Sequence, residues 1–244
     1  QEAVRPRVVC FGDSLTQFGF DAERLGWLAM LSHWWERRYD VINRGYSGYN
    51  TRWLMPLVDL LFVPGGAVAT KLVTIFLGAN DCVLPGNAQY VPIEEYKANL
   101  EKMVRHVWEA HPEARVLLIT PPPIHEAKWA KHRGGQSRDM DRKQEVTKSY
   151  AKACIEVGAE LSVKVVDTYT IMGAGDPSLA DMYLHDGVHF TSEGNRELFE
   201  AIQGEIRRSF PELDPAYGGD ATMQAPHWSL VDPANPSESV LRGL

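Results

Sequence analysis

The sequence predicts an α/β fold, a three-layer α/β/α sandwich around a five-stranded parallel sheet. Three observations carry that prediction. Short apolar, β-branched runs alternate with longer amphipathic stretches. The runs are apolar almost throughout, as strands covered on both faces must be. Neither an internal repeat nor a low-complexity linker interrupts the alternation.

The first strand is expected at Arg7–Phe11 (RVVCF), followed by an amphipathic helix around Leu25–Arg38. The second, Tyr39–Asn43 (YDVIN), leads to a helix over Thr51–Val63, and the third, Leu72–Leu77 (LVTIFL), to one over Ile93–His111. The fourth, Arg115–Thr120 (RVLLIT), precedes a helical stretch at Arg138–Leu161, and the fifth is Val163–Asp167 (VKVVD). A last helix is expected at Ser192–Phe210. This alternation makes residues 1–210 one domain with helices on both faces of its sheet. Beyond it, Pro211, Pro215, Pro226, Pro233 and Pro236 with Gly218 and Gly219 forbid another long helix. Residues 211–244 are therefore expected as an irregular, Pro-rich arm. Tyr217, Met223, Trp228, Leu230 and Val231 make it apolar enough to pack on the domain, or on a neighbouring subunit of a homo-oligomer.

Composition narrows the function classes. A chain of 244 residues buries roughly 70–75% of its unfolded surface and needs no disulfide or metal to hold its core. With 44% hydrophobic and 23% charged residues it has an ordinary globular composition. Its 25 basic and 32 acidic residues give a net charge of −7, which argues against nucleic acid or anionic lipid as a partner. The longest apolar runs fall far short of the roughly 20 residues that span a bilayer, and no charged-then-apolar signal pattern opens the sequence at Gln1. Cys10, Cys82 and Cys154 are too few and too dispersed for a disulfide framework or zinc site and read as buried small hydrophobes. A cytoplasmic setting is expected.

In an open parallel sheet, ligands bind outside the carboxyl ends of the strands. The first strand ends in FGDSLTQ, which places Ser14 after a turn that Gly12 permits. The second ends in NRGYSGYNTR, whose Gly45 and Gly48 let backbone N–H groups approach a ligand. The third ends in LGAND, presenting the Asn80 amide, and the fourth in the proline-rich TPPPIHE. After the fifth comes HDGVHFTSEG, with Asp186 and His189 three residues apart.

Together these residues meet the needs of nucleophilic acyl transfer. A serine hydroxyl attacks only when a base takes its proton, and neutral imidazole suits that task near neutral pH. His189 is the expected base, with Asp186 fixing its tautomer and stabilising the imidazolium. Asn80 and the backbone N–H groups of Gly48 and Ser14 are the expected donors to the oxyanion. Each piece alone is a common turn or cap. Their joint occurrence at successive strand ends carries the functional reading.

These blocks resemble the GDSL, or SGNH, hydrolase superfamily, whose four signature residues correspond to Ser14, Gly48, Asn80 and His189. FGDSLTQFGF, NRGYSGYNTRW, FLGAND, VPIEEYKANL, LLITPPPIHE and YLHDGVHFTSEGN are further similar to the isoamyl acetate-hydrolysing esterase group, over about residues 7–210. The resemblance implies the flavodoxin-like SGNH fold, no cofactor and no metal. It also implies hydrolysis of short-chain, acetate-type carboxylic esters through an acyl-enzyme on Ser14. It leaves open acyl transfer, removal of acyl groups from carbohydrate or lipid, and a non-catalytic binding protein that keeps the fold. The α/β-hydrolase fold fits less well, because no G-x-S-x-G elbow occurs.

Other segments carry weaker expectations. His125 and Glu126 start like a zinc-protease helix but lack its second histidine, so they are expected beside the crevice or in a loop. KWAKHRGGQSR is expected as a solvated loop made mobile by Gly134 and Gly135, and Val83, Leu84 and Tyr90 as walls of a small acyl pocket. Trp27, Trp34, Trp35 and Trp53 are expected in packing, with Trp53 also near the pocket.

Overall fold

A central strand, β1 (Arg7–Gly12), pairs in parallel with β2 (Asp40–Gly45) on one side and β3 (Thr70–Phe76) on the other. Strands β4 (Arg115–Ile119) and β5 (Lys164–Val166) extend the sheet to the order β2-β1-β3-β4-β5, parallel throughout. This computed structural model describes residues 5–66, 68–134, 141–217 and 223–241. All five strands lie within about two residues of their expected positions.

Successive side chains of a strand face opposite layers. Val9 and Phe11 pack with α3 (Thr51–Leu61), α4 (Ile93–Ala110) and α6 (Gln144–Leu161). Val8 and Cys10 pack with α2 (Trp27–Trp34) and α9 (Ser192–Ser209). Fully buried Trp27 and Trp35 each find a partner for the indole N–H, the carbonyls of Leu15 at 2.9 Å and Leu213 at 2.8 Å. Trp34 is partly buried against Phe199, and Trp53 is exposed beside Tyr49.

Periodicity had not shown four short helices: α1 (Ser14–Gln17), α5 (Glu126–His132), α7 (Thr168–Ile171) and α8 (Pro177–Tyr183). Side chains of Asp13, His125, Asp167 and Asp176 cap their N-termini by accepting backbone N–H bonds. The expected loop of KWAKHRGGQSR is therefore corrected over its first residues, which belong to α5. Gly135 lies outside the described residues, as does the expected helical start at Arg138.

The arm touches the domain where Arg37 donates to the carbonyls of Gln224, Ala225 and Pro226, and Met223 lines a surface groove together with Met30 and Trp34. Trp228 and Leu230 are 78% and 67% exposed, with the Trp228 ring beside that of His227. The arm is not irregular throughout, because Pro236 opens a short helix, α10 (Pro236–Leu241). Gly218 and Gly219 lie outside the described residues. Among the described residues, no helix is long and apolar enough to cross a membrane.

Register sets the position of the site. Gly12 stands opposite both Gly45 and Phe76, so β1, β2 and β3 end level and release their following segments together. The sheet order reverses direction beside β1, which makes this edge the topological switch point.

Candidate active site

Gly12 makes the first turn possible through space rather than through a left-handed backbone. A Cβ there would lie 2.3 Å from Thr16 Oγ1 and 2.4 Å from the Phe76 carbonyl oxygen. The chain turns directly into α1, where buried Asp13 caps the helix by accepting the Leu15 N–H at 2.9 Å. Ser14 is thus the first helical residue, and its own N–H has no partner among the described residues.

The last loop supplies the rest of a relay. It folds back at a bridge between Leu184 and Phe190, closed by the His185 N–H donating to the His189 carbonyl at 2.9 Å. Asp186 Oδ1 accepts the N–H groups of Val188 and His189 at 2.9 and 2.8 Å, and Oδ2 lies 2.7 Å from His189 Nδ1. His189 Nε2 is 2.9 Å from Ser14 Oγ. Burial raises the pKa of Asp186, but the bond and charge of His189 with the two backbone N–H groups outweigh it and hold the carboxyl well below the usual carboxylate range. An ionised carboxylate can only accept, so Nδ1 carries the hydrogen and Nε2 is free to accept from Ser14. The Phe18 ring meets the imidazole edge-on at 5.5 Å.

Gly48 and Asn80 follow the ends of β2 and β3. The Tyr46 N–H donates to the Gly12 carbonyl at 2.8 Å, fastening the segment after β2 to the end of β1. Gly48 adopts φ +81°, a conformation that favours glycine, and its carbonyl accepts from Gln89 Nε2 at 2.7 Å. Its N–H has no partner among the described residues. Asn80 Nδ2 donates to the Tyr49 carbonyl at 2.8 Å, and its Oδ1 accepts from Arg142 at 2.9 Å. One amide hydrogen of Asn80 therefore remains for a ligand. The fold brings all five expected residues, Ser14, Gly48, Asn80, Asp186 and His189, to the same edge.

A cavity of about 270 Å³ adjoins Ser14 and His189, with Leu15, Phe18, Arg24, His185 and Phe190 among its lining. The expected walls Val83, Leu84 and Tyr90 do not line it, and Val83 is fully buried. His125 and Glu126 are structural: His125 Nδ1 accepts the Lys128 N–H and Glu126 accepts the Gln144 N–H at 2.8 Å. Among the described residues, His185, Asp186 and His189 form the one cluster of three candidate metal ligands, but Asp186 and His189 already bond to each other, and His189 to Ser14. Burial pushes the thiols of Cys10 and Cys154 up to about 12 and raises that of Cys82, so all three stay protonated near neutrality. Arg142, Gln89 and Phe18 are site residues that sequence patterns did not reveal, since nothing local marks a charged, polar or aromatic side chain as turned inward.

Comparison with known proteins identifies the family. Residues 10–197 match the GDSL-like Lipase/Acylhydrolase family. The chain is 37% identical to an isoamyl acetate-hydrolyzing esterase 1 homolog of Bos taurus, covering 98% of this chain and 93% of that one. It is 36% identical to a GDSL esterase/lipase of Arabidopsis thaliana, covering 97% and 98%. A solved lipase/acylhydrolase from Enterococcus faecalis is 26% identical and matches with a TM-score of 0.62 over 83% of this chain and 96% of its own. The chain belongs to the GDSL-like lipase/acylhydrolase family.

Proposed function

We propose that this protein is a serine esterase that hydrolyses short-chain, acetate-type carboxylic esters through an acyl-enzyme on Ser14. The observation that carries the proposal is the unbroken relay from Ser14 Oγ through His189 to Asp186, with contacts of 2.9 and 2.7 Å. His189 Nε2 takes the hydroxyl proton as Ser14 Oγ bonds to the ester carbonyl carbon. Negative charge moves to the carbonyl oxygen, where the N–H groups of Ser14 and Gly48 and the free Asn80 hydrogen receive it. The imidazolium, stabilised by Asp186, passes its proton to the leaving alkoxide as the C–O bond breaks. Water then attacks the acyl group with His189 again as base, which frees the acid and restores Ser14.

The cavity on the His189 side receives the alcohol part, because His189 must reach the leaving oxygen. Its volume of about 270 Å³ lies below the roughly 300–1,000 Å³ of sites for drug-sized ligands, which favours a small alcohol part. A series of p-nitrophenyl esters from acetyl upward, assayed with the native enzyme and with Ser14→Ala, tests the proposal. Activity greatest at the short end and lost in the variant is expected. Turnover that survives in Ser14→Ala would overturn it.

A further inference from the structure

Behind the Asn80 amide lies a buried cation that the steps above do not use. Arg142 is 4% exposed and stands just before α6. One terminal nitrogen donates to Asn80 Oδ1 at 2.9 Å and the other donates to the Ala79 carbonyl. Its guanidinium carbon lies 5.2 Å from the centre of the Trp129 ring. The Trp129 indole N–H donates to Asp141 Oδ1 at 2.7 Å, and that oxygen stands 3.9 Å from Arg142 Nε, which has no hydrogen-bond partner. The cation therefore turns its best bonds toward Ala79 and Asn80 rather than toward a carboxylate.

We infer that Arg142 is a positioning residue for the oxyanion donor, fixing the Asn80 amide in one orientation and polarising its N–H. The two ends of a carboxamide have nearly the same shape, so packing alone does not choose between them. Guanidinium has only donors and can face only Oδ1, while the Tyr49 carbonyl can face only Nδ2. These contacts exclude the flipped amide, which would turn an oxygen toward the developing oxyanion. Donation from a charged group also draws electron density from the carboxamide, making the remaining N–H a better donor. Charge on the substrate oxygen grows toward the transition state, so the effect belongs to kcat rather than KM.

The inference rests on Asn80 acting as an oxyanion donor, and a double-mutant cycle separates the two. Arg142→Met and Asn80→Ala are made singly and together, and p-nitrophenyl acetate hydrolysis is measured in each. Arg142→Met is expected to lower kcat by about 20-fold or more with KM within about twofold, and by less than about threefold once Asn80 is gone. Arg142→Lys, which keeps the charge in a less disruptive side chain, runs the same cycle if the methionine variant does not fold. Its expected loss lies between those of the native enzyme and Arg142→Met. Equal losses with and without Asn80, or a change in KM alone, would overturn the inference. A large loss in Asn80→Ala with none in either Arg142 variant would overturn it while leaving the donor reading intact. Unchanged kcat in Asn80→Ala would remove both.

Discussion

His189 Nε2 lies 2.9 Å from Ser14 Oγ, although 175 positions separate the two residues. Trp27 braces this meeting. Its indole N–H donates to the Leu15 carbonyl in α1, while its backbone N–H donates to Asn195 Oδ1 in the first turn of α9, at 2.9 and 3.3 Å. One buried residue thus ties the helix that carries the nucleophile to the helix that follows the base.

Trp27→Phe keeps an aromatic ring but leaves the Leu15 carbonyl without a donor in a buried place. A stability loss of about 1–3 kcal/mol is expected in urea denaturation. Activity should fall further than the fraction unfolded explains, because Ser14 is no longer held against His189. Unchanged kcat in the folded variant would contradict the brace.

Gly12→Ala places a Cβ against Thr16 Oγ1 and the Phe76 carbonyl, and the backbone oxygen has nowhere to retreat within the sheet. Overpacking of this kind costs about 1–3 kcal/mol, and a lowered midpoint of thermal unfolding together with lower kcat is the expected result. A variant as stable and active as the native protein would show that the turn is looser than described.

Asp186→Asn retains the shape of the carboxylate but loses the ionised acceptor that fixes the imidazole tautomer. A fall in kcat of about 10³–10⁴-fold is expected, with KM little changed. A loss below tenfold in steady-state kinetics would make Asp186 an ordinary loop carboxylate.

The strands and the strand-end residues were legible because the strands are apolar almost throughout and because Ser14, Gly48, Asn80 and His189 each sit in a distinctive local string. Helices α1, α5, α7 and α8 were not, since four to seven residues are too few to display a period. Arg142 stands among the charges of the segment DMDRKQE and looks solvated there. Its burial comes from contacts with Trp129 and Asn80, neither of which is near it in the sequence. The cavity beside His189 was hidden for the same reason, because its walls come from α1 and the His189 loop, which lie far apart in the sequence.

Asp13 supplies a pH signature. Burial raises its pKa from 3.8 to about 7, against the lowering effect of the Leu15 N–H, and Oδ2 has no partner. Between those values the folded protein holds a proton that the unfolded chain has released, so this group makes stability fall as pH rises through that window. Asp13→Asn cannot titrate there. The stability of the variant relative to the native protein should therefore climb between pH 4 and 7, by on the order of a few kcal/mol. A difference that stays constant in denaturant titrations across that range would contradict the assignment.

The central claim is that Ser14 carries the acyl group during turnover. Rapid acid quenching of the enzyme during hydrolysis of p-nitrophenyl acetate, followed by peptide mass spectrometry, tests it most directly. One acetyl group on the peptide containing Ser14, absent from Ser14→Ala, is the expected result. Full hydrolytic turnover with label on another residue, or undiminished in Ser14→Ala, would contradict it.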